Sequence, residues 1–268
     1  MVTIVAGFAS TVFMPLTGLL TAHLGWRGAL LVLAAIHGLV TVPLHALTVR
    51  QPRPPATTAS SGSARPEHVQ RRAVARAAMG DARFWILAVT FIAHGAATSI
   101  MTVHLIGYLI SRGHPATFAA TAAGLLGVLS VAGRLVLTAA RRRLPVVTIV
   151  AAVFATQATA VLAMPLLAGT RTGAIISVVG FGLGFGITSL ATPALLADRY
   201  GTTAYATIAG RLATPVTVAK AAAPLGAATL LHTAAGYTLL LTTVAACCAL
   251  ASTGMLLRAT ATPPAANG

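Results

Sequence analysis

The sequence predicts an all-α, polytopic membrane protein, and composition and pattern both support that prediction. Hydrophobic residues make up 57% of the 268 residues and charged residues only 8%, and the mean hydropathy is +0.87. A soluble domain of this size needs a charged surface that this composition cannot supply. The apolar residues are also grouped in runs of about 20, which is the length that an α-helix needs to cross a bilayer.

Eight such runs follow one another along the chain. Most are joined by short connections, so we expect neighbouring spans to be antiparallel. The predicted spans are Thr3–Ala22, Ala29–Val49, Phe84–Ile110, Ala116–Leu137, Val146–Leu167, Gly173–Ala197, Ala206–Leu231 and Gly236–Leu257.

One connection is much longer than the others. The segment from Arg50 to Arg83 begins with a stretch rich in Pro, Ser and Thr, a composition typical of disorder. It continues with a basic stretch that is predicted to form a short amphipathic helix on the membrane surface. The chain therefore divides into two spans (1–49), a cytoplasmic linker (50–83), six spans (84–257) and a cytoplasmic tail (258–268).

The net charge of +15 does not indicate nucleic-acid binding, because the Arg clusters lie between apolar runs rather than on one solvated face. If the linker is cytoplasmic, twelve arginines fall on the cytoplasmic side of the spans and three on the other side. This bias follows the positive-inside rule. We therefore predict a plasma-membrane protein with both termini in the cytoplasm.

Four stretches resemble parts of the major facilitator superfamily, in the right order and spacing. Gly18–Ala35 resembles the junction of its fifth and sixth helices, and Asp81–Gly113 the start of its second half. Gly124–Arg143 resembles the eighth helix with the basic loop after it, and Gly180–Gly201 the tenth helix. The branch that looks most similar contains monocarboxylate and oxalate/formate carriers.

The resemblance implies transport of a small molecule by alternating access around a site near mid-membrane. It also implies that the family's first four helices are absent, so we expect that the chain alone does not transport. The predicted substrate is an organic anion or a small hydrophobic solute, with protons as the coupling ion. The alternative is a truncated, transport-silent membrane protein that at most associates with a partner.

Ionisable side chains inside a membrane are energetically costly and are therefore functional candidates. Lys220 lies about 21 Å along its span at 1.5 Å per residue, a little past the midplane. It either meets an anionic substrate or snorkels outward to water. Arg211 precedes it by nine residues, on the opposite face of an ideal helix. We assign Lys220 to the cavity and Arg211 to gating or packing, unless Pro215 kinks the span.

Arg134 is a second candidate for anion contact. In the carriers that the chain resembles, this helix often has an Asp four residues before an Arg, and the pair serves proton and anion. Here the two positions are Ser130 and Arg134. The resemblance therefore implies that Arg134 can contact an anion, whereas the acid for the paired proton step is missing. The alternative is that Arg134 anchors a cytoplasmic gate.

His94 and His104 lie in one predicted span, His94 on a face with Thr98 and His104 on a face with Tyr108. Histidine titrates near neutral pH, so either could relay a proton where carboxylates are missing. The alternative is a hydrogen-bonded structural histidine. The predicted substrate-binding residues are Lys220, Arg134, His94, Thr98, His104 and Tyr108, and the predicted gating residues are Arg211, Arg141, Asp198 and Arg199.

Other site chemistry is not indicated. The histidines are dispersed and lack Cys or carboxylate partners, so no metal or cofactor is expected. Glycines at 180, 182, 184 and 186 lie inside an apolar span and predict close helix packing, not a nucleotide loop. The motifs of serine hydrolases, zinc proteases and P-loop enzymes are missing, so we do not expect an enzyme. Pro193, Pro215 and Pro224 are predicted helix kinks.

Overall fold

The computed structural model describes residues 9–48 and 64–260. Of these, 88% are helical and none lies in a strand, which confirms the all-α prediction. Most of the linker stretch that is predicted to be disordered, residues 52–68, lies outside the described residues. For its last five residues the prediction is wrong, because a helix begins at Ala64.

The helices follow the predicted order along the chain, with one basic helix between the two sets of spans. The first set is α1 (Ala9–Ile36), a π-helical turn (His37–Thr41) and α2 (Val42–Thr48). The linker helix is α3 (Ala64–Gly80). The second set is α4 (Ala82–Ser111), α5 (Ala116–Ala140), α6 (Val146–Leu167), α7 (Arg171–Gly182), α8 (Thr188–Tyr200), α9 (Tyr205–Leu230) and α10 (Gly236–Thr260).

The helix α1 is interrupted between the first two predicted spans. Gly25 has φ 68° and ψ 172°, a backbone conformation outside the helical region that glycine adopts without steric cost. The helical piece before Gly25 packs on α5, where Pro15 lies against Gly124. The break therefore falls where the apolar pattern separates Thr3–Ala22 from Ala29–Val49.

The predicted span Gly173–Ala197 is two helices, α7 and α8, joined by turns at residues 183–187. At this point the backbone comes close to two neighbours. A Cβ atom at Gly184 would overlap the Gln157 carboxamide on α6, and one at Gly186 would overlap Ser130 on α5. The close packing predicted for these glycines is confirmed, and it coincides with a break because glycine supports a helix poorly.

Five apolar stretches in the described residues are long enough to cross a membrane: Pro15–Leu47, Ala82–Ser111, Ala116–Ala140, Val146–Leu167 and Gly236–Arg258. The helix α9 also has the required length, but its Thr residues, Arg211 and Lys220 lower its hydropathy. The helix α4 packs against α9 and α10, and α10 against α6. The buried core is built from α4, α5, α6, α7, α8 and α10, with α9 along one side of α4.

Candidate functional site

A cleft of about 420 Å³ opens between α4, α8 and α9. Part of its lining is apolar, with Phe91 from α4 and Leu212 and Val216 from α9. Six other lining residues are polar, and one of them is a cation. These polar lining residues are His94, Thr188, Ser189, Thr192, Thr217 and Lys220.

Lys220 lies in this cleft because α4 and α9 approach each other closely. A Cβ atom at Gly95 would be 3.3 Å from Lys220 Cε and 3.2 Å from Val216 Cγ1, so the aliphatic stem of Lys220 lies on bare α4 backbone. The Lys220 side chain is exposed. Among the described residues, no group accepts a hydrogen bond from its ammonium or forms an ion pair with it.

His94 is both a lining residue and the centre of a buried hydrogen-bond chain. Its Nε2 lies 2.9 Å from Gln157 Oε1, and Gln157 Nε2 donates to the Phe181 carbonyl at 2.7 Å. The Gln157 amide therefore presents its oxygen to His94, so His94 Nε2 is the protonated donor. The imidazole also stacks on Phe154, with 4.1 Å between ring centroids.

The other polar residues predicted on α4 do not line the cleft. The Thr98 hydroxyl donates to the carbonyls of His94 and Gly95 in its own helix, at 3.0 Å each. His104 Nε2 lies 3.1 Å from the Pro224 carbonyl on α9, and so it joins the two helices. Tyr108 is buried in the core with its ring 5.4 Å from that of Tyr237.

The predicted arginines also lie outside the cleft lining. Arg134 is half-buried on α5, where its Nε is 3.4 Å from the Gly186 carbonyl in the turn between α7 and α8. Arg211 is exposed and does not line the cleft, as its nine-residue spacing from Lys220 predicts. Arg141, after the end of α5, and Asp198, near the end of α8, are exposed.

A family comparison identifies the fold that carries this cleft. The model of the Major Facilitator Superfamily matches residues 1–224, which include every residue of the cleft lining. This chain belongs to the Major Facilitator Superfamily. The comparison with curated proteins gives no match. Members of the Major Facilitator Superfamily carry small-molecule solutes across lipid membranes. The chain is therefore a multi-pass membrane protein of a transporter family and not an enzyme.

This member of the Major Facilitator Superfamily has an ion-pair cluster between α4 and α8, which both line the cleft. Asp81 precedes α4 as its N-cap and accepts a hydrogen bond from the Arg83 amide at 3.0 Å. Arg199 Nη2 donates to Asp81 Oδ2 at 3.1 Å and the Tyr200 hydroxyl does so at 3.2 Å. We call Asp81, Arg199 and Tyr200 the Asp81 cluster.

The Asp81 cluster also sets the charge of its carboxylate. Burial alone would raise the pKa of Asp81, but the hydrogen bond from the Arg83 amide and the hydrogen bonds and charge of Arg199 together lower that pKa below its ordinary value of 3.8. Asp81 is therefore ionised throughout the neutral range. Of the four predicted gating residues, Arg199 is the one that forms this link between α4 and α8.

Several residues of the site are not predicted from the sequence. Gln157 is a single polar residue in an apolar run, and its role depends on which helix faces it. Asp81 falls in the predicted linker, although an Asp directly before a helix is a recognisable N-cap signal. The hydroxyls on α8 become lining residues only because α8 lies beside α9 at the cleft.

Proposed function

We propose, against the expectation that the chain alone does not transport, that this protein transports a small organic anion and that Lys220 binds the negative group of the anion in the cleft. The observation that carries the proposal is an ammonium in the cleft lining without an acidic partner among the described residues. Lys220 is 15 residues after the first residue of α9, or about 22 Å along the helix. A charge at that depth costs several kcal/mol, and an anionic ligand offsets that cost.

The cleft supports a singly charged organic anion as the substrate class. It has one fixed cation, Lys220, beside hydroxyls on α8 and α9 that can donate hydrogen bonds to a carboxylate. The apolar lining formed by Phe91, Leu212 and Val216 suits a short carbon skeleton. The sequence resemblance to monocarboxylate and oxalate/formate carriers supports the same class.

Proton coupling through His94 is part of the proposal. His94 Nε2 carries the proton that Gln157 accepts, so a further proton binds at Nδ1. Because His94 and Lys220 line the same cleft, protonation places a second positive charge near the anion. Proton and anion then bind cooperatively on one side of the membrane and leave together on the other, which alternating access around one site allows.

The purified chain in proteoliposomes tests this function. Binding and uptake of radiolabelled acetate and benzoate are measured for the wild type, Lys220→Gln and Arg211→Gln, with and without an inward proton gradient. Arg211→Gln is the matched control for binding, since it removes an exposed cation from the same helix outside the cleft lining. We expect Lys220→Gln to weaken binding at least about tenfold, equivalent to ~1.4 kcal/mol, and Arg211→Gln to change it less than about twofold.

The outcomes separate the alternatives. Unchanged affinity in Lys220→Gln would contradict the proposed role of the lysine. Binding without uptake in the wild type would favour the transport-silent alternative. Uptake that does not respond to the proton gradient would contradict proton coupling through His94 but not the proposed anion site.

A further inference from the structure

The carbonyl of Lys220 lacks its ordinary helical donor. In an α-helix the amide of residue i donates to the carbonyl of residue i−4, and Pro224 has no amide to donate to Lys220. A backbone carbonyl without a hydrogen-bond donor is costly inside a membrane, because no water is present there to donate to it. Neighbouring helices commonly supply the missing donor with Ser or Thr side chains.

Ser99 on α4 supplies that donor. Its Oγ donates to the Lys220 carbonyl at 2.5 Å, across 121 residues of sequence. Gly95 lies one turn earlier on α4, and a Cβ there would be 3.4 Å from Lys220 Cγ. The same face of α4 therefore contacts both the backbone and the side-chain stem of Lys220.

A second link lies on the far side of the proline. His104 Nε2 donates to the carbonyl of Pro224 at 3.1 Å. The segment of α9 from Lys220 to Pro224 is thus held to α4 at both ends, by one hydroxyl and one imidazole. Because Lys220 is the first residue of that segment, the position of the segment on α4 determines where the Lys220 ammonium lies in the cleft.

We propose that Ser99 is the positioning residue for Lys220. Its hydroxyl replaces the amide that Pro224 lacks, and so it holds the root of the lysine side chain against α4. Ser99 does not line the cleft, so it acts through Lys220 and not by contact with substrate. The consequence for anion binding depends on the proposed function, whereas the positioning of Lys220 does not.

A double-mutant cycle between Ser99 and Pro224 tests the proposal in the full chain. Ser99→Ala removes the hydroxyl, and Pro224→Ala restores a backbone amide that can donate to the Lys220 carbonyl. Pro224→Ala leaves the carbonyl of residue 224 in place for His104. We expect Ser99→Ala to weaken acetate or benzoate binding about fivefold, the effect of one hydrogen bond. In the Pro224→Ala background the same change should cost less than about twofold.

A second measurement needs no ligand. Lys220 is the only lysine in the sequence, so ¹³C-lysine labelling gives one side-chain Cε signal in an NMR spectrum of the protein in micelles. We expect Ser99→Ala to shift or broaden this signal, and Ser99→Thr to restore it because the hydroxyl is retained. Thr121→Ala is the control, because its hydroxyl bonds to Thr117 within α5, and it should leave the signal unchanged.

Equal effects of Ser99→Ala in the wild-type and Pro224→Ala backgrounds would overturn the proposal, as would a Ser99→Thr variant that behaves like Ser99→Ala. If Lys220→Gln keeps full anion affinity while Ser99→Ala alters the lysine signal, the proposed function fails and the positioning role stands. If Lys220→Gln abolishes binding while Ser99→Ala changes neither affinity nor signal, the positioning role fails and the proposed function stands.

Discussion

Replacing Gln157 with leucine should destabilise the cleft wall that holds His94. Gln157 is fully buried, and its carboxamide links His94 on α4 to the Phe181 carbonyl on α7. Leucine has a similar volume, so the change removes hydrogen bonds without a large cavity. The Phe181 carbonyl also accepts from the Gly184 amide at 3.3 Å. The greater part of the effect should therefore come from His94.

The expected magnitude follows from the two lost bonds. Side-chain hydrogen bonds between membrane helices are worth about 0.6 kcal/mol on average and up to about 1.7 kcal/mol. A buried N–H left without a partner adds a desolvation penalty of about 1–3 kcal/mol. For Gln157→Leu we expect the free energy of unfolding to fall by about 2–3 kcal/mol.

Unfolding of the protein in mixed micelles by added SDS, followed by circular dichroism, measures this loss. Ser252→Ala is the matched control, since Ser252 is buried on α10 and makes one hydrogen bond, at 2.9 Å, to the Ala151 carbonyl on α6. We expect that control to lose about 1 kcal/mol. A loss in Gln157→Leu no larger than in Ser252→Ala would refute the reasoning that the Gln157 chain holds the wall of the cleft.

Two further predictions concern the Asp81 cluster and the turn between α7 and α8. Asp81→Asn should lower the free energy of unfolding by about 1 kcal/mol. The folded pKa of Asp81 is below 3.8, so the greater stability of the wild type over Asp81→Asn should hold down to about pH 5. It should be lost only as the pH falls through that lowered pKa. Loss of this stability difference at neutral pH would contradict the ion pair. Gly184→Ala should lower the free energy of unfolding in SDS by about 2 kcal/mol, because the added Cβ overlaps Gln157. Gly210→Ala is the control and should not destabilise the protein, because nothing lies within 4 Å of its added Cβ. Equal effects of the two substitutions would refute the packing argument.

The helices could be predicted from the sequence because hydropathy acts over whole runs of residues. A span such as Val146–Leu167 is apolar along its length, and the structure begins and ends α6 at the same residues. The break between α7 and α8 could not be predicted in this way. It depends on how closely Gly184 approaches Gln157 and Gly186 approaches Ser130, which are contacts with other helices.

The site was predictable only in part. Lys220 could be singled out because a charge in an apolar run is costly wherever its helix lies. Ser99 could not, because a serine in such a run gives no indication of its partner. Pro224, four residues after Lys220, does indicate that one carbonyl lacks a donor. Which helix supplies the donor is decided by the packing of α4 on α9.

The turn between α7 and α8 also affects the electrostatics of the cleft. A helix carries a partial positive charge at its N-terminus, where the peptide dipoles begin to add. Since α8 begins at Thr188, which lines the cleft, this partial charge lies near the centre of the predicted span instead of at its end. An unbroken helix would not place it there. The cleft therefore has a positive potential from the backbone as well as from Lys220, and substitution of the lysine removes only one of the two.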